Sequence, residues 1–261
     1  MKVGVFDSGL GGLTVVRSIL DRLKGAELFY IADTKHAPYG EKTREEILQY
    51  ALEITDYFIR KHHIDALIIA CNTATSAAIS TIRSKYPQLI VIGTEPGVKP
   101  AVEQTQSGKV GVLATPATLQ GEKYQQLVET YAKGRDIVLY EQACPGLVDQ
   151  IEQGKIAHPK TRKMLERWLH PMKDAGVDTI VLGCTHYPLV SEMIEHIMEN
   201  RLQMIHTGDA IAKRLLILAK ERGHHNEGLL KLSLFATGNI DETIVHMVLG
   251  RELSFETVEL P

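Results

Sequence analysis

Short apolar runs alternate with longer amphipathic stretches along most of this chain. The runs have strand length and are mostly apolar rather than alternating, which is typical of strands buried on both faces of a parallel sheet. The longer stretches carry apolar residues at helical spacing. Strands are predicted at 2–6, 28–32, 66–70, 89–92, 137–141, 179–183 and, as the last one, 232–236. Helices are predicted at 45–62, 76–86, 117–131, 158–175, near 190–199 and up to about 222. The alternation predicts an α/β fold with mainly parallel sheets and helices on both faces.

Two of the apolar patterns occur twice. The first pattern is VGVFDS at 3–8 and VGVLAT at 110–115. The second pattern is DALIIACNTA at 65–74 and DTIVLGCTHY at 178–187. Because both patterns repeat at nearly the same offset, the chain is predicted to be two similar three-layer α/β units in tandem.

The unit boundary is predicted in the proline- and glycine-rich segment 94–100. Beyond residue 207 the tail can either extend the second unit or return to the first. The return is preferred, so the first domain is assigned to 1–96 plus about 208–261 and the second domain to 97–207.

Both copies of the second pattern place a cysteine just past a buried strand. Open α/β sheets bind ligands at the carboxyl ends of their strands, so Cys71 and Cys184 are expected at such positions. The ordinary pKa of a thiol is about 8.5, and modest help produces a thiolate near neutral pH. A helix start after Cys71 and His186 after Cys184 offer such help. The duplication favours one site in the cleft between the units with a thiol on each side, over two small core residues. Cys144 has no twin and is interpreted as structural.

Other interpretations of these segments remain open from the residues alone. Asp7 and Ser8 can cap a helix, or Asp7 can hold an ammonium group or support Cys71. The glycine turn at 9–12 resembles a dinucleotide fingerprint, but Thr14 breaks the motif. Zinc held by Cys71, Cys184 and His186 is a further alternative, without any close cysteine pair to support it.

Two further segments are ambiguous by themselves. Tyr39, next to Gly40, can belong to an ordinary turn or can present a hydroxyl and backbone N–H groups to a carboxylate. Glu152 lies on a short predicted helix, and the pattern does not favour it over Asp149.

Composition narrows the class of protein. The chain has 261 residues, is 44% hydrophobic and 23% charged, and carries a net charge of −3, which argues against nucleic acid as the main partner. Its three cysteines do not form a disulfide framework pattern. No signal peptide and no apolar span of about 20 residues is recognised, so a cytoplasmic protein without membrane association is expected.

Six segments, in order along nearly the whole chain, carry a family resemblance. They are DSGLGG at 7–12, APYG at 37–40, ACNTAT at 70–75, TEPGVKPA at 94–101, LATPAT at 113–118 and GCTHYP at 183–188. Together they resemble bacterial glutamate racemases, within the wider family of cofactor-independent aspartate and glutamate racemases. The twin-cysteine motifs are shared by the wider family, whereas DSGLGG and APYG favour the glutamate enzymes.

The resemblance implies a two-base isomerase that uses no cofactor and no metal. Cys71 is expected to act on D-glutamate and Cys184 on L-glutamate, with Asp7 assisting the first thiol and His186 and Glu152 assisting the second. Substrate contacts are implied for Asp7, Ser8, Tyr39, Gly40, Asn72, Thr73, Thr115, Thr118, Thr185 and His186. The implied role is the supply of D-glutamate for peptidoglycan by a cytoplasmic homodimer. Racemisation of aspartate or another acidic amino acid, and a non-catalytic amino-acid-binding protein, are the alternatives.

Overall fold

The computed structural model describes residues 1–199, 202–250 and 252–260. The strands are β1 Lys2–Asp7, β2 Glu27–Ala32, β3 Ala66–Ile69, β4 Ile90–Gly93, β5 Lys109–Ala114, β6 Val138–Ala143, β7 Thr179–Gly183, β8 Gln203–Ile205, β9 Lys231–Ala236 and β10 Glu256–Thr257. The α-helices are α1 Leu13–Leu20, α2 Arg44–Tyr57, α3 Asn72–Lys85, α4 Val98–Gln104, α5 Pro116–Gln120, α6 Glu122–Tyr131, α7 Leu147–Glu152, α8 Pro159–Asp174, α9 Ser191–Ile197, α10 Gly208–Glu221 and α11 Glu242–Leu249. Short 3₁₀-helices cover Tyr39–Glu41 and Tyr187–Val190, and a π-helix covers Phe58–His62.

The chain forms two compact units. One contains Met1–Thr94 and Gly208–Pro261, and the other contains Glu95–Thr207. Each unit has its own parallel sheet with helices, which confirms the predicted α/β class with mainly parallel sheets.

The sheet of the first unit has the strand order β10-β9-β2-β1-β3-β4. Its central strand β1 is almost entirely buried because it lies between β2 and β3. Asp7 pairs with Ala32, and Phe6 pairs with Ile69. The parallel register therefore brings the residues that follow β1, β2 and β3 to the same edge of this sheet.

The sheet of the second unit has the order β6-β5-β7-β8. This order repeats β2-β1-β3-β4 of the first sheet, so the two copies of each sequence pattern occupy equivalent strands. Ala114 at the end of β5 pairs with Gly183 at the end of β7, immediately before Cys184. Ser8 and Thr115 are thus equivalent in their units, as are Cys71 and Cys184.

Four departures from the sequence prediction are larger than a shift of one or two residues at an element end. Helix α3 begins at Asn72 instead of 76, because its first turn is capped by Cys71 and has no apolar periodicity. The last residues of the predicted helix 45–62 form the π-helix Phe58–His62. The predicted helix 117–131 divides at Gly121, whose backbone is extended. Strand β9 is followed by the short β10, so 231–236 is not the last strand.

Separate apolar cores support the two sheets. The first unit packs residues such as Phe6, Phe58 and Leu67 between the sheet and its helices. The second unit has clusters around Leu165 and Leu182 and around Val110 and Val112. Within the described ranges, every helix is too short or too polar to traverse a bilayer.

Candidate active site

The thiol of the first unit lies at the N-terminus of a long helix. Cys71 follows β3 and is the N-cap of α3, and its Sγ accepts a hydrogen bond from the Ala74 N–H at 3.4 Å. The residue is 6% exposed, so it is largely shielded from water. Backbone N–H groups and the positive end of a helix dipole favour an anion, and they therefore favour the thiolate form of Cys71.

The hydroxyl of Ser8 lies beside this thiol. The Cys71 Sγ lies 3.8 Å from the Ser8 Oγ, and both side chains are buried. Because Ser8 follows β1 and Cys71 follows β3, the adjacent pairing of these strands produces the contact. The serine hydroxyl provides a dipole that can reorient as the sulfur gains or loses its proton.

The glycine turn after β1 wraps around a carboxylate. Asp7 is fully buried, and its Oδ2 accepts hydrogen bonds from the N–H groups of Gly9 and Gly12, each at 3.1 Å. A Cβ at Gly12 would lie 2.6 Å from the Asp7 Cβ, so this glycine is required for the close approach. The Gly12 and Gly9 amides are thus engaged by Asp7, and a buried carboxylate at this turn repels phosphate. This arrangement disfavours the dinucleotide interpretation.

The hydroxyl of Tyr39 is engaged by another side chain of the protein. Its ring is buried, and its hydroxyl donates to the Asp33 carboxylate at 2.5 Å. Burial, and next the Asp33 carboxylate, hold the pKa of Tyr39 well above its ordinary value. The hydroxyl proton is therefore committed to Asp33. Since the 3₁₀-helix begins at Tyr39, the N–H groups of Tyr39 and Gly40 lack partners within that helix and are the better candidates for a ligand carboxylate.

Asn72 and Thr73 form the first turn of α3 beside Cys71. Both are buried, each at 6% exposure, although both carry polar side chains. Their backbone N–H groups belong to the helix start, where no intrahelical acceptor exists. Together with Ala74 they make this end of α3 a concentration of hydrogen-bond donors.

An imidazole side chain lies beside the thiol of the second unit. Cys184 follows β7 and is 9% exposed, and its Sγ lies 3.7 Å from the Nδ1 of His186. The Nε2 of His186 makes a hydrogen bond with the Oε1 of Glu152. Thr185, between the two, is buried as well. Thiol, imidazole and carboxylate therefore form a continuous chain of three ionisable groups.

The charge state of His186 follows from this chain. Burial by itself lowers the pKa of His186, but hydrogen bonds to Cys184 and Glu152 outweigh burial and raise the pKa well above its ordinary value. A protonated His186 stabilises a Cys184 thiolate, and Glu152 stabilises the imidazolium. The contact with His186 also distinguishes Glu152, at the end of α7, from Asp149, which the sequence pattern did not do.

Thr115 and Thr118 lie at the end of β5, next to the end of β7. Thr115 is the N-cap of α5 and accepts a hydrogen bond from the Thr118 N–H at 3.2 Å. The two hydroxyl oxygens are 2.9 Å apart. Their position beside the strand of Cys184 brings two further hydroxyl groups to the same edge of the second sheet.

Cys144 has a different environment from the other two thiols. It is 2% exposed, its Sγ donates weakly to the Gln142 carbonyl at 3.5 Å, and burial raises its pKa above the ordinary value. A buried thiol that resists ionisation is a poor nucleophile or base.

The predicted site residues thus form two groups, one in each unit. The group of the first unit contains Asp7, Ser8, Tyr39, Gly40, Cys71, Asn72 and Thr73, and that of the second contains Thr115, Thr118, Glu152, Cys184, Thr185 and His186. In the described part of the chain no three His, Cys, Asp or Glu side chains are arranged to hold a metal ion.

Sequence reasoning missed Asp33 and Thr237. Neither residue lies in any of the six segments that carry the family resemblance. In the structure, Asp33 accepts a hydrogen bond from the Tyr39 hydroxyl and another from the Thr237 hydroxyl. A polar residue directly after a buried strand, as Asp33 is, was the available signal for one of them.

Comparison with known proteins decides the family. A family model described as Asp/Glu/Hydantoin racemase matches residues 3–215. The chain belongs to this family. It is 63% identical over 260 residues to a glutamate racemase of Sulfurovum sp. (strain NBC37-1), a match that covers 100% of this chain and 98% of the relative. The predicted resemblance to bacterial glutamate racemases is confirmed, and so is the prediction of an amino-acid racemase.

Solved structures agree with this assignment. A crystal structure of a glutamate racemase isoform from Bacillus anthracis has a TM-score of 0.87 at 30% identity and covers 99% of this chain and 97% of its own. A glutamate racemase from Francisella tularensis subsp. tularensis SCHU S4, crystallised in complex with D-glutamate, has a TM-score of 0.84 at 28% identity, with coverage of 99% and 97%. The fold of this chain is therefore that of the family.

Proposed function

We propose that this chain interconverts L-glutamate and D-glutamate by direct proton transfer at the α-carbon, without a cofactor. The observation that carries the proposal is the placement of Cys71 and Cys184 after equivalent strands of two similar units, each beside its own activating donors. The same two-fold placement suits a reaction that removes a proton from one face of a carbon and returns one to the other. The glutamate racemases among the relatives support the choice of substrate.

The reaction balances with the two thiols alone. The Cys71 thiolate takes the α-proton of D-glutamate and becomes a thiol, and the electron pair of the broken C–H bond passes to the substrate carbanion. The Cys184 thiol then donates its proton to the opposite face and becomes a thiolate, which yields L-glutamate. The reverse direction begins with the Cys184 thiolate, so each turnover exchanges the protonation states of the two sulfurs.

Each thiol has separate assistance in this scheme. Asp7, Ser8 and the start of α3 support Cys71, whereas His186 and Glu152 support Cys184. The imidazolium of His186 is placed to stabilise a thiolate at Cys184, and the helix N–H groups are placed to do the same for Cys71.

The remaining polar groups hold the substrate. Hydroxyl and amide groups complement a ligand with two carboxylates and one ammonium, and preorganised donors stabilise the negative charge that develops on the α-carboxylate. The proposed contacts are Asp7, Ser8, Tyr39, Gly40, Asn72, Thr73, Thr115, Thr118, Thr185 and His186. For Tyr39 and Gly40 the backbone N–H groups, rather than the phenol, are the proposed contacts.

The resemblance to glutamate racemases implies the biological setting. D-glutamate made by the reaction is proposed to supply peptidoglycan synthesis and thereby cell-wall biogenesis and cell shape. A cytoplasmic homodimer is the proposed form, and sedimentation velocity measures its mass directly.

The first experiment follows the α-proton. Purified, metal-free protein is incubated with L-glutamate in deuterated water without pyridoxal phosphate, while optical rotation and deuterium content are recorded. Loss of rotation together with one deuterium in the product supports the proposal. Activity with aspartate but not glutamate would keep the mechanism and change the substrate, whereas no exchange with either would favour a non-catalytic binding protein.

Single substitutions test the assignment of the two bases. Cys71→Ser and Cys184→Ser are each expected to lose racemisation, and Cys144→Ser is the matched control that retains it. Each single mutant is expected to eliminate a good leaving group from a β-substituted glutamate of one configuration, the two mutants choosing opposite enantiomers. The same enantiomer preference in both mutants contradicts the two-sided assignment.

A further inference from the structure

A buried carboxylate organises the loop that carries Tyr39 and Gly40. Asp33 follows β2 and is fully buried, and it accepts hydrogen bonds from three side chains. The Tyr39 hydroxyl lies at 2.5 Å, the Thr237 hydroxyl at 2.6 Å and the His36 Nδ1 at 3.0 Å. A buried carboxylate is costly unless it is hydrogen-bonded, so these donors and Asp33 stabilise one another.

Thr237 brings the C-terminal segment into this cluster. It follows β9, and its N–H donates to the Ala32 carbonyl at 3.1 Å. Its hydroxyl donates to Asp33 and accepts from the Lys35 N–H at 3.1 Å. One hydroxyl therefore ties the end of β9 both to the carboxylate and to the backbone of the loop.

The next residue allows this close approach. A Cβ at Gly238 would lie 3.0 Å from the Lys35 nitrogen and 3.2 Å from its Cα. A side chain there would force the loop away from β9. Glycine after Thr237 thus permits the Lys35 contact that the threonine hydroxyl makes.

The far side of the loop is held by aromatic packing. The imidazole of His36 stacks on the Tyr50 ring with centroids 3.9 Å apart and an interplanar angle of 9°. Tyr39 lies against the same ring, with centroids 5.8 Å apart. The loop is therefore fixed by Asp33 and Thr237 on one side and by helix α2 on the other.

We propose that Thr237 is a positioning residue, which acts through Asp33 to hold the backbone N–H groups of Tyr39 and Gly40 where they receive a substrate carboxylate. This inference rests on the proposed function, because it assigns the loop to substrate binding. The hydrogen bonds of Thr237 go to Asp33, Lys35 and Ala32, so it is expected to affect binding of the acidic amino acid rather than transfer of the α-proton.

The kinetic test uses three variants of one residue pair. Thr237→Val removes the hydroxyl while keeping the size, and it is expected to raise KM for L-glutamate by about three- to tenfold with kcat little changed, since one hydrogen bond is lost. Thr237→Ser restores the hydroxyl and is expected to return KM to the wild-type value. Asp33→Asn is expected to raise KM further, because loss of the carboxylate charge weakens the hydrogen bonds from Tyr39, Thr237 and His36 together.

A second measurement separates this inference from the proposed function. Hydrogen exchange of the ligand-free protein is followed in peptides covering 34–42, with a peptide covering 179–190 as internal reference. Thr237→Val is expected to speed exchange in the first peptide about three- to tenfold and leave the reference unchanged. This result is independent of any turnover, so it remains informative if neither glutamate nor aspartate is racemised.

Thr243→Val is the matched control. The Thr243 hydroxyl also binds an aspartate in the C-terminal segment, Asp241, but at an exposed site. Equal changes in KM and exchange for Thr243→Val and Thr237→Val would overturn the proposal, as would a fall in kcat at constant KM. Failure of Thr237→Ser to restore KM would also overturn it.

Discussion

Cys71 and Cys184 occupy equivalent places in their units but are surrounded by different kinds of donor. Cys71 relies on the Ala74 N–H and the Ser8 hydroxyl, which do not titrate in the neutral range. Cys184 relies on His186, whose charge depends on pH and on Glu152. The two equivalent thiols of the duplicated scaffold therefore have chemically different surroundings.

The raised pKa of His186 predicts how stability changes with pH. Burial opposes the shift, but Cys184 and Glu152 hold the folded-state pKa above the ordinary value near 6.5, so the folded protein keeps a proton that the unfolded chain releases. The contribution is fully present below about pH 6.5 and is lost as pH rises through the folded pKa. Urea unfolding between pH 6 and 9 should show this decline.

Glu152→Gln is the variant that isolates the effect, because it removes the charge that holds the imidazolium. Its unfolding free energy should fall less steeply over the same pH range. Glu166→Gln, which removes an exposed partner of Arg162 in the same unit, is the control and should keep the wild-type slope. Parallel slopes for the wild type and Glu152→Gln would rule out the His186–Glu152 coupling.

At the level of elements, the residues that cap the first turns of α3 and α2 differ in their relation to the proposed site. α3 begins at the cysteine itself, so the residue that caps the helix is also the proposed base. α2 begins with a capping box in which Thr43 and Glu46 satisfy each other's backbone N–H groups. The cap of α3 is therefore a proposed catalytic group, whereas the capping box of α2 involves no proposed site residue and tests capping.

Removing the α2 cap should destabilise the protein. Thr43→Ala loses the hydroxyl that accepts from the Glu46 N–H at 3.2 Å, and the free energy of unfolding should fall by about 1 kcal/mol. Thr130→Ala is the matched control. The Thr130 hydroxyl bonds back to the Gln126 carbonyl within exposed helix α6, so its loss should be nearly neutral. Denaturant titration of both variants measures the difference, and equal losses would contradict a specific capping role.

At the scale of the molecule, the two units differ in how the chain builds them. The second unit is one continuous segment, Glu95–Thr207, with its own sheet and core. The first unit is discontinuous, because β9 from the C-terminal segment pairs with β2 along six residues, from Glu27 with Lys231 to Ala32 with Ala236. Helices α10 and α11 of that segment also pack on α1.

This difference predicts the behaviour of fragments. A fragment of residues 95–207 should fold cooperatively, whereas residues 1–94 alone should not. In the fragment 1–94, β2 has no β9 to pair with, and α1 has no α10 or α11 to pack against. Joining 1–94 to 208–261 through a flexible Gly-Ser linker should restore folding of the first unit. Circular dichroism during heating compares the three proteins, and a cooperative transition in 1–94 alone would contradict the prediction.

Much of the architecture could be predicted from local pattern. The buried strand 66–69 is apolar throughout, and 180–183 has no polar residue either. Amphipathic helices such as α8 have clear apolar spacing. Both patterns depend on neighbours only a few residues away along the chain. Bounds were missed where polar capping outweighed periodicity, as at the start of α3. The two site cysteines could be predicted from the sequence because parallel strands end at a common edge of a sheet, where ligands bind.

The sequence by itself determined the alternation of strands and helices, the duplicated cysteine pattern and the family resemblance. Only the tertiary structure decided that Glu152 rather than Asp149 meets His186, that the Tyr39 hydroxyl is committed to Asp33, and that Thr237 joins them. Thr237 and Asp33 are 204 residues apart along the chain. Local periodicity reports which face of an element is buried, but hydrogen-bond partners at that distance are chosen only when the strands pair.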